Sequence, residues 1–322
     1  MKNAIVRLAL ISSLALLWTV LSPARARAQM GDPTKVTLKT TPVAGSVSMI
    51  EGANGFAGGN VGVSVGDDGV LVIDDELQPL ATKLRTALAD LSKKPVRFVL
   101  NTHVHADHTG GNAALGAAGA VIVAHYNVRK RLSADQFMEF MGQKKTIPAS
   151  PAAALPVVTF NDDLTFFFNS DEIQILHVAP AHTDGDSIVL FKKANVLHMG
   201  DTFLGGYPIV DVSSGGRYEG YIAAAERALG LVDDATKIIP GHGPVMAKAD
   251  LAAWRDMLVK IRDNVAALAA QKKTLDEIKA AKPTAAFDAR WGQGMIKADM
   301  VVETVYKALP PAPAKSAAKR KR

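Results

Sequence analysis

The residues best suited to chemistry lie in one short run from Thr102 to His108, with the sequence THVHADH. Three imidazoles and one carboxylate stand at H-x-H-x-D-H spacing, in a chain that contains only 8 histidines. Imidazole nitrogen and carboxylate oxygen are ligands that zinc and other divalent first-row metals accept. On an extended backbone His103 and His105 face the same side, while Asp107 and His108 follow where the chain turns and can reach a second metal. The run therefore predicts a metal site.

Three further segments place a histidine or an aspartate where a predicted strand leads into a loop. His182 lies within PAHTDGD, Asp201 within HMGDT and His242 within PGHGP. The small residues beside them allow other groups to approach closely, and strand ends are where α/β-type sheets collect their sites. Together with the first run, these residues supply seven ligands, enough for two metals that share one bridging carboxylate. The chain has no cysteine, so thiolate is not among the possible ligands.

The first 28 residues have the layout of a secretory signal peptide. A positive start with Lys2 and Arg7 precedes an apolar stretch over 8–22, and the sequence ARA at 26–28 is a small-x-small cleavage site. The apolar stretch is short for a membrane span, and no other segment approaches the roughly 20 apolar residues that a spanning helix requires. We therefore expect a periplasmic or secreted protein without a stable membrane anchor after cleavage.

Positive charge is concentrated at the two ends of the chain. The stretch 1–28 carries four lysine or arginine residues and no acid, and the tail 309–322 carries five and no acid. Removing these nine charges from the formal net charge of +6 leaves residues 29–308 at about −3. This balance lacks the basic footprint of a nucleic-acid enzyme, so the expected partner of the core is a small-molecule substrate. The tail is expected to be disordered, and the sequence leaves the oligomeric state open.

Alternating and β-branched runs predict two sets of strands that are interspersed with helices. In the first set, a strand over 96–100 delivers the histidine run at its end. The other expected strands of the first set lie near 46–50, 61–65, 69–74 and 121–123. The second set is expected near 157–160, 164–168, 172–178, 187–191 and 195–199, followed by a short strand at 236–239. The expected helices lie at 78–93, in a short Ala-rich stretch that opens at 110–112, at 127–142, at 218–231 and through 248–308, with a loop over 144–156. This order favours mixed sheets with helices on their outer faces, and we expect one domain over 29–308.

The pattern His103-x-His105-x-Asp107-His108, followed by His182, Asp201 and His242, resembles the metallo-β-lactamase superfamily over nearly all of residues 40 to 250. The resemblance implies an αββα sandwich, in which two mixed β-sheets are flanked by helices and the site lies at one edge between the sheets. It also implies a pair of zinc ions. One zinc would be bound by His103, His105 and His182, the other by Asp107, His108 and His242, with Asp201 as the bridging ligand.

Asp201 narrows the activity that the resemblance implies. In the lactamase subclass with a cysteine on the second zinc, the thiolate stands where this chain has Asp201, whereas glyoxalase II-like thioesterases, lactonases and nucleases share the aspartate. The resemblance therefore favours an exported hydrolase that uses a metal-activated hydroxide on a small carboxylic ester or lactone. Asp107 would serve both as a ligand and as the hydrogen-bond partner that orients the nucleophile or receives its proton.

Several alternative functions remain open. They are a β-lactamase that opens a lactam amide, a phosphodiesterase or nuclease, an iron-dependent redox member of the same fold, and a metal-binding accessory protein without turnover. The identity of the metal is also open, because the same ligand types bind iron and manganese.

Two acidic residues close to His182 are candidates for a supporting role. Asp184 and Asp186 either orient an imidazole N–H or cap the turn that contains His182.

Other segments are candidate walls of a substrate pocket. The Gly-rich segment 203–217 follows Asp201 almost directly and carries Tyr207 and Arg217. Phe56 in the Gly-rich turn 52–60, and the loop 138–156, are further candidates because loops of this length are often functional.

Overall fold

The computed structural model describes residues 32–140 and 143–309 of the chain. The predicted signal peptide 1–28 and residues 310–322 of the predicted basic tail lie outside these described residues. Within 32–140 and 143–309, no helix combines the length and the apolar character needed to cross a bilayer. The described residues include nearly all of the predicted domain 29–308.

The first sheet is mixed and has seven strands in the described part of the chain. In spatial order they are β1 (Thr37–Ala44), β2 (Val47–Ala53), β3 (Val61–Gly66), β4 (Gly69–Ile73), β5 (Val96–Asn101), β6 (Val121–His125) and β9 (Val158–Phe160). β1 to β4 pair antiparallel, whereas β4, β5, β6 and β9 pair in parallel. The parallel strands therefore end at one common edge of the sheet.

The second sheet is mixed as well, with six strands among the described residues. They are β10 (Asp163–Phe168), β11 (Asp171–His177), β12 (Ser187–Phe191), β13 (Val196–His198), β14 (Lys237–Ile239) and β15 (Met246–Ala247). Only the pair β13 and β14 runs parallel in this sheet. A separate antiparallel hairpin is formed by β7 (Gln136–Phe140) and β8 (Gln143–Ile147).

The helices cover the outer faces of the two sheets. They are α1 (Ala81–Leu91), α2 (Ala106–Thr109), α3 (Asn112–Ala117), α4 (Tyr126–Leu132), α5 (Tyr218–Leu229), α6 (Lys248–Ala270), α7 (Leu275–Ala280), α8 (Ala285–Trp291) and α9 (Ala298–Ala308). Leu84 of α1 packs on the first sheet, and Trp254 of α6 packs on the second. Between the sheets, Leu71 and Leu100 meet Phe191. The predicted αββα sandwich is therefore confirmed.

The central strands are buried on both faces, and their amino-acid composition is apolar enough for such burial. Every residue of β4 and of β12 is buried, and their sequences GVLVI and SIVLF lack the polar alternation of a strand with one face in water. Each strand is thus fixed between a helical layer and the opposite sheet, which sets the position of the loops at its end.

Two predictions about the middle of the chain were wrong. The helix expected over 127–142 ends at Leu132, and β7 and β8 replace its second half and the start of the loop expected over 144–156. Glutamine, methionine and glutamate favour helices by propensity, but Glu139 N donates to Ser213 Oγ at 3.4 Å and packs the hairpin against the turn Val212–Ser214. β9 was expected in the second set of strands, yet it pairs with β6 of the first sheet.

Candidate metal centre

Strand ends from both sheets deliver the predicted ligands to one edge of the sandwich. β5 ends at Asn101, and His103 follows it. His105 precedes the single turn α2, which carries Asp107 and His108. The second sheet supplies three side chains, which follow β11, β13 and β14 in turn: His182, Asp201 and His242. All seven predicted ligands are therefore brought together.

The side chains form two groups around this edge. In the first ligand group, His103, His105 and His182 each offer a ring nitrogen within 4.8 Å of the others, and His105 Nδ1 lies 2.6 Å from His182 Nε2. In the second ligand group, a carboxylate oxygen of Asp107 and one ring nitrogen each of His108 and His242 lie within 4.8 Å of one another. Asp107 Oδ2 lies 3.4 Å from His242 Nε2 and 3.7 Å from His108 Nε2.

Asp201 lies between the two groups and faces both with different oxygens. Its Oδ2 is 3.4 Å from His182 Nε2 in the first ligand group. Its Oδ1 is 3.2 Å from His108 Nε2 and 3.5 Å from His242 Nε2 in the second ligand group. This is the arrangement that a bridging carboxylate requires.

The arrangement fits a pair of divalent metal ions. Ligand atoms around a tetrahedral metal with bonds of about 2.0–2.1 Å lie roughly 3.3 Å apart, close to the separations around Asp201 and in the second ligand group. Nε2 of His103, Nε2 of His108 and Oδ1 of Asp201 are buried and have no hydrogen-bond partner among the described residues. Buried polar atoms without partners are costly, and coordination would satisfy all three.

The other nitrogen of each buried ring is held by an acceptor. His108 Nδ1 donates to Asp74 Oδ2 at 2.7 Å, and His182 Nδ1 donates to the carbonyl of Ile209 at 2.6 Å. Such bonds fix the tautomer and leave the second nitrogen as an acceptor for a metal. The rings are therefore oriented before any ion binds.

Asp74 is a residue that sequence reasoning missed. It follows β4, and its carboxylate accepts the backbone N–H and the hydroxyl of Thr102, each at 2.7 Å, in addition to His108 Nδ1. Thr102 Oγ1 in turn accepts from His103 Nδ1 at 3.0 Å. One buried carboxylate thus positions a histidine from each ligand group. The sequence offered one signal for this role, because Asp74 directly follows the strand β4, which runs parallel to β5.

Asp211 is a second missed residue, in the segment 203–217. His105 Nε2 donates to Asp211 Oδ2 at 2.9 Å, which leaves Nδ1 of that ring for the metal. Asp211 also accepts from the backbone of Ser214 at 3.0 Å and from the hydroxyl of Ser213. Although burial raises the pKa of Asp211, the bonds from His105 and Ser213 hold it well below its usual range. An ionised Asp211 therefore orients a ligand.

Replacement of Asp211 by alanine is expected to weaken metal binding by about 10- to 100-fold, the usual cost of losing a partner that orients a ligand. Competition of the protein with a chromogenic chelator measures this affinity. The control is Asp234→Ala, since that side chain is almost fully exposed. Because Asp211 also caps a turn, circular dichroism should accompany the titration. Unchanged affinity in a folded variant would remove the role given to Asp211.

Burial and charge divide the imidazoles into two kinds. Burial lowers the pKa of His103 well below its ordinary value and lowers that of His182 to about 4, so both are neutral near pH 7. Burial also opposes protonation of His242, but Asp201 and Asp107 raise its pKa to about 10. A metal that binds the second ligand group therefore displaces a proton, and binding strengthens as the pH rises.

Glu76 is a third acidic residue near the second ligand group. Its side chain is fully buried, neither carboxyl oxygen has a hydrogen-bond partner among the described residues, and burial raises its pKa to about 8. A Cβ placed on Gly58 would lie 2.8 Å from Glu76 Oε2 and 2.7 Å from the carbonyl of Asp107. The acid therefore lies close to the turn α2, which carries Asp107.

Two glycines allow the ligands to reach their positions. A Cβ on Gly59 would lie 2.1 Å from the ring of His108, and a Cβ on Gly241 would lie 2.0 Å from Asp201 Oδ1. Gly241 would also bring its Cβ to 2.7 Å from backbone atoms of Gly200. The Gly-His-Gly sequence at 241–243 thus provides space for the bridging carboxylate as well as the ligand His242.

The acidic candidates beside His182 contact groups other than imidazoles. Asp186 accepts from the backbone N–H groups of His182 at 2.7 Å and Thr183 at 3.0 Å, as a residue that caps the turn would. Asp184 pairs with the guanidinium of Arg131 through two bonds of 2.7 Å. The turn is therefore fixed by Asp186, and the ring of His182 is oriented by a carbonyl instead.

The predicted pocket residues are placed in three different surroundings. Tyr207 is buried and donates to Asp288 Oδ1 of α8 at 2.6 Å, so it packs under the C-terminal helices and does not face the metal centre. Arg217 is exposed at the start of α5. Phe56 stacks on the His242 ring with centroids 5.7 Å apart and borders the centre.

The comparisons with known proteins agree with this geometry. A family model described as the metallo-beta-lactamase superfamily matches residues 54–242. The 2,4-dinitroanisole O-demethylase subunit alpha of a Nocardioides species is 29% identical over 182 residues, which is 55% of this chain and 50% of that subunit. A hydroxyacylglutathione hydrolase of a Polaromonas species is 41% identical over 58 residues, 18% of this chain and 22% of that hydrolase. The chain thus spans half or less of these relatives.

Solved structures share the fold at low sequence identity. A metallo-beta-lactamase from Pontibacter korlensis has a TM-score of 0.56 at 19% identity and covers 69% of this chain and 99% of its own. The stereoselective inverting sec-alkylsulfatase Pisa1 from Pseudomonas sp. has a TM-score of 0.62 at 17% identity, with coverage of 84% of this chain and 50% of that chain. Identities this low show similarity of fold alone.

Proposed function

Because the chain belongs to the metallo-beta-lactamase superfamily, we propose that it is a metal-dependent hydrolase of a small carboxylic ester or lactone and acts outside the cytoplasm. Zinc is the proposed metal, since histidine nitrogen and carboxylate oxygen are its preferred ligands in the absence of cysteine. The proposed location rests on the signal-peptide pattern of residues 1–28.

The position of Asp201 is the observation that carries the proposal. Its two oxygens face the two ligand groups, at 3.4 Å from His182 and 3.2 Å from His108. Two metal ions sharing such a ligand would activate a water molecule as a nucleophile near neutral pH and polarise a substrate carbonyl. A carboxylate in this place, where the cysteine-type lactamases carry a thiolate, favours an ester or lactone over a lactam amide.

Asp107 is assigned the proton-handling role. Its side chain is 22% exposed, whereas those of His108 and Asp201 are 0% and 5% exposed. Asp107 is therefore the carboxylate that a water molecule or a substrate entering the site reaches first. Because Asp107 is accessible and lies beside His242, its carboxylate can orient the attacking water and accept its proton.

A second candidate function is cleavage of an aryl alkyl ether. The relative that matches over 182 residues is named as an O-demethylase of 2,4-dinitroanisole. The ester remains the first choice, because a carbonyl gives the metal pair an oxygen to polarise. The other relative, named as a hydrolase of hydroxyacylglutathione, supports a carboxylic substrate.

A substrate panel with metal analysis tests the proposal. Purified protein would be offered p-nitrophenyl acetate, a set of lactones, a chromogenic cephalosporin, bis(p-nitrophenyl) phosphate and dinitroanisole, before chelation, after it and after zinc is restored. We expect turnover of an ester or lactone that is lost with the metal and returns with zinc, and about two zinc ions per chain. Preferred turnover of the cephalosporin or phosphate, or a single bound iron, would contradict the proposal.

A further inference from the structure

A cavity of about 80 Å³ opens beside the first ligand group. His105 is the one of the seven ligands that forms part of its wall, so the cavity borders the metal centre at this ring. The hairpin β7–β8 forms the opposite wall with Met138 and Ile147, both half-buried. In the register of the hairpin, Gln136 lies opposite Ile147 and Met138 opposite Lys145. Met138 and Ile147 therefore share the face that is turned to the cavity, because alternate residues of a strand point to the same side.

The walls of the cavity are mainly apolar. Besides Met138 and Ile147, Val104 and Leu132 contribute hydrocarbon surface. Surfaces of this kind gain free energy when they bind an apolar group, because both are removed from water. A water molecule takes up roughly 30 Å³ in the liquid, so a cavity of about 80 Å³ accommodates roughly three groups of this size. A short aliphatic chain has this size.

The charge in the cavity wall is already compensated. Among the described residues that line it, Arg131 is the one permanent cation, and its guanidinium makes two bonds of 2.7 Å to the carboxylate of Asp184. The pair is also tied to the surrounding turns, since Asp184 N donates to Ser214 O at 2.9 Å and Asn127 Nδ2 donates to Asp184 O at 2.9 Å. A substrate carboxylate placed here would have to displace Asp184, so the site disfavours anions.

We propose that this cavity binds the acyl chain of the substrate and selects short, uncharged acyl groups of about three or four carbons. The proposal rests on the proposed hydrolysis of esters or lactones and names their chemical class. A carbonyl that reaches the metal centre would extend its acyl chain past His105 into the space between Val104 and the hairpin. The hairpin β7–β8 thereby becomes the element that determines specificity.

Kinetics on p-nitrophenyl esters of increasing acyl length test the proposal. In the unmodified protein, kcat/KM is expected to rise about fourfold per added methylene from the acetate to the butanoate, and to fall once the chain exceeds the cavity. The hemisuccinate, which ends in a carboxylate, should be at least about tenfold poorer than the butanoate. Ile147→Ala should reduce the gain per methylene. Val157→Ala is the matched control, since Val157 is 70% exposed and lies outside the cavity.

A binding measurement separates this inference from the proposed hydrolysis. Protein labelled at the methionine methyl groups, with the Met138 signal identified through Met138→Leu, would be titrated with butyramide and with acetamide. We expect a saturable shift of the Met138 methyl with butyramide and a smaller one with acetamide, whether or not any ester is hydrolysed. If esters are hydrolysed, but Met138 does not respond and Ile147→Ala retains the chain-length profile of Val157→Ala, the subsite is refuted while the hydrolase stands. If Met138 responds but no ester or lactone is turned over, the subsite stands and the hydrolase fails.

Discussion

Replacement of Asp107 by alanine is expected to reduce turnover by about 10²–10⁴-fold, the range for loss of a positioned proton-transfer group. The variant also loses a ligand atom that lies 3.4 Å from His242 Nε2 and 3.7 Å from His108 Nε2. We therefore expect bound metal to fall from about two ions to about one per chain. Steady-state kinetics and elemental analysis of protein isolated without added metal provide the two measurements.

Asp90→Ala is the matched control for this variant, because Asp90 is exposed on α1, away from the centre. It should retain both activity and metal. Full metal content in Asp107→Ala, together with unchanged turnover, would show that neither role assigned to Asp107 is correct. Full metal content with low turnover would retain the proton-handling role and remove the ligand role.

Replacement of Gly241 by alanine is expected to empty most of the metal centre without contact between the new methyl group and any metal. The added Cβ would lie 2.0 Å from Asp201 Oδ1 and 2.7 Å from the backbone of Gly200. Real Cβ atoms do not approach other atoms this closely, so the carboxylate must move. Because Asp201 faces both ligand groups, its displacement weakens both, and overpacking of the backbone costs a further ~1–3 kcal/mol of stability.

The measurements for Gly241→Ala are metal content, activity and the free energy of unfolding in urea. Gly294→Ala is the control, since a Cβ on Gly294 would meet no atom within 4 Å. We expect the control to keep its metal and its activity. A Gly241→Ala protein that binds metal as tightly as the control would mean that Asp201 is not required where the structure has it.

The ligands were predictable from the sequence because their chemistry is local. His103, His105 and His108 lie within six residues, and His182 and His242 each follow a predicted strand beside small residues. Burial of β4 on both faces was likewise readable from its continuous apolar sequence GVLVI. Features that depend on a single segment could thus be predicted from the sequence.

The residues that sequence reasoning missed depend on pairing between distant segments. Asp211 contacts His105 across 106 positions of the chain, and Asp74 contacts His108 across 34. No spacing rule connects such partners. Tyr207 was predicted to line the pocket because it follows Asp201 closely in the sequence, but its hydroxyl donates to Asp288 of α8. The position of Tyr207 depends on how the C-terminal helices pack, which the sequence around Tyr207 does not reveal.

The hairpin β7–β8 was missed for a different reason. Its sequence is rich in residues that form helices, and the two strands lie outside both sheets of the sandwich. Contacts with the turn Val212–Ser214 and with the cavity wall decide its conformation. Tertiary packing therefore overrides the intrinsic helix propensity of this hairpin. The same hairpin is the element to which we assign substrate specificity.

Asp74 makes the two metal positions depend on one buried side chain. Its carboxylate holds His108 directly and His103 through the hydroxyl of Thr102. Removing this carboxylate would release one ring of each ligand group, and loss of a partner that orients a ligand weakens metal binding. A single substitution at a residue that is not itself a ligand is thus expected to weaken both metal positions together.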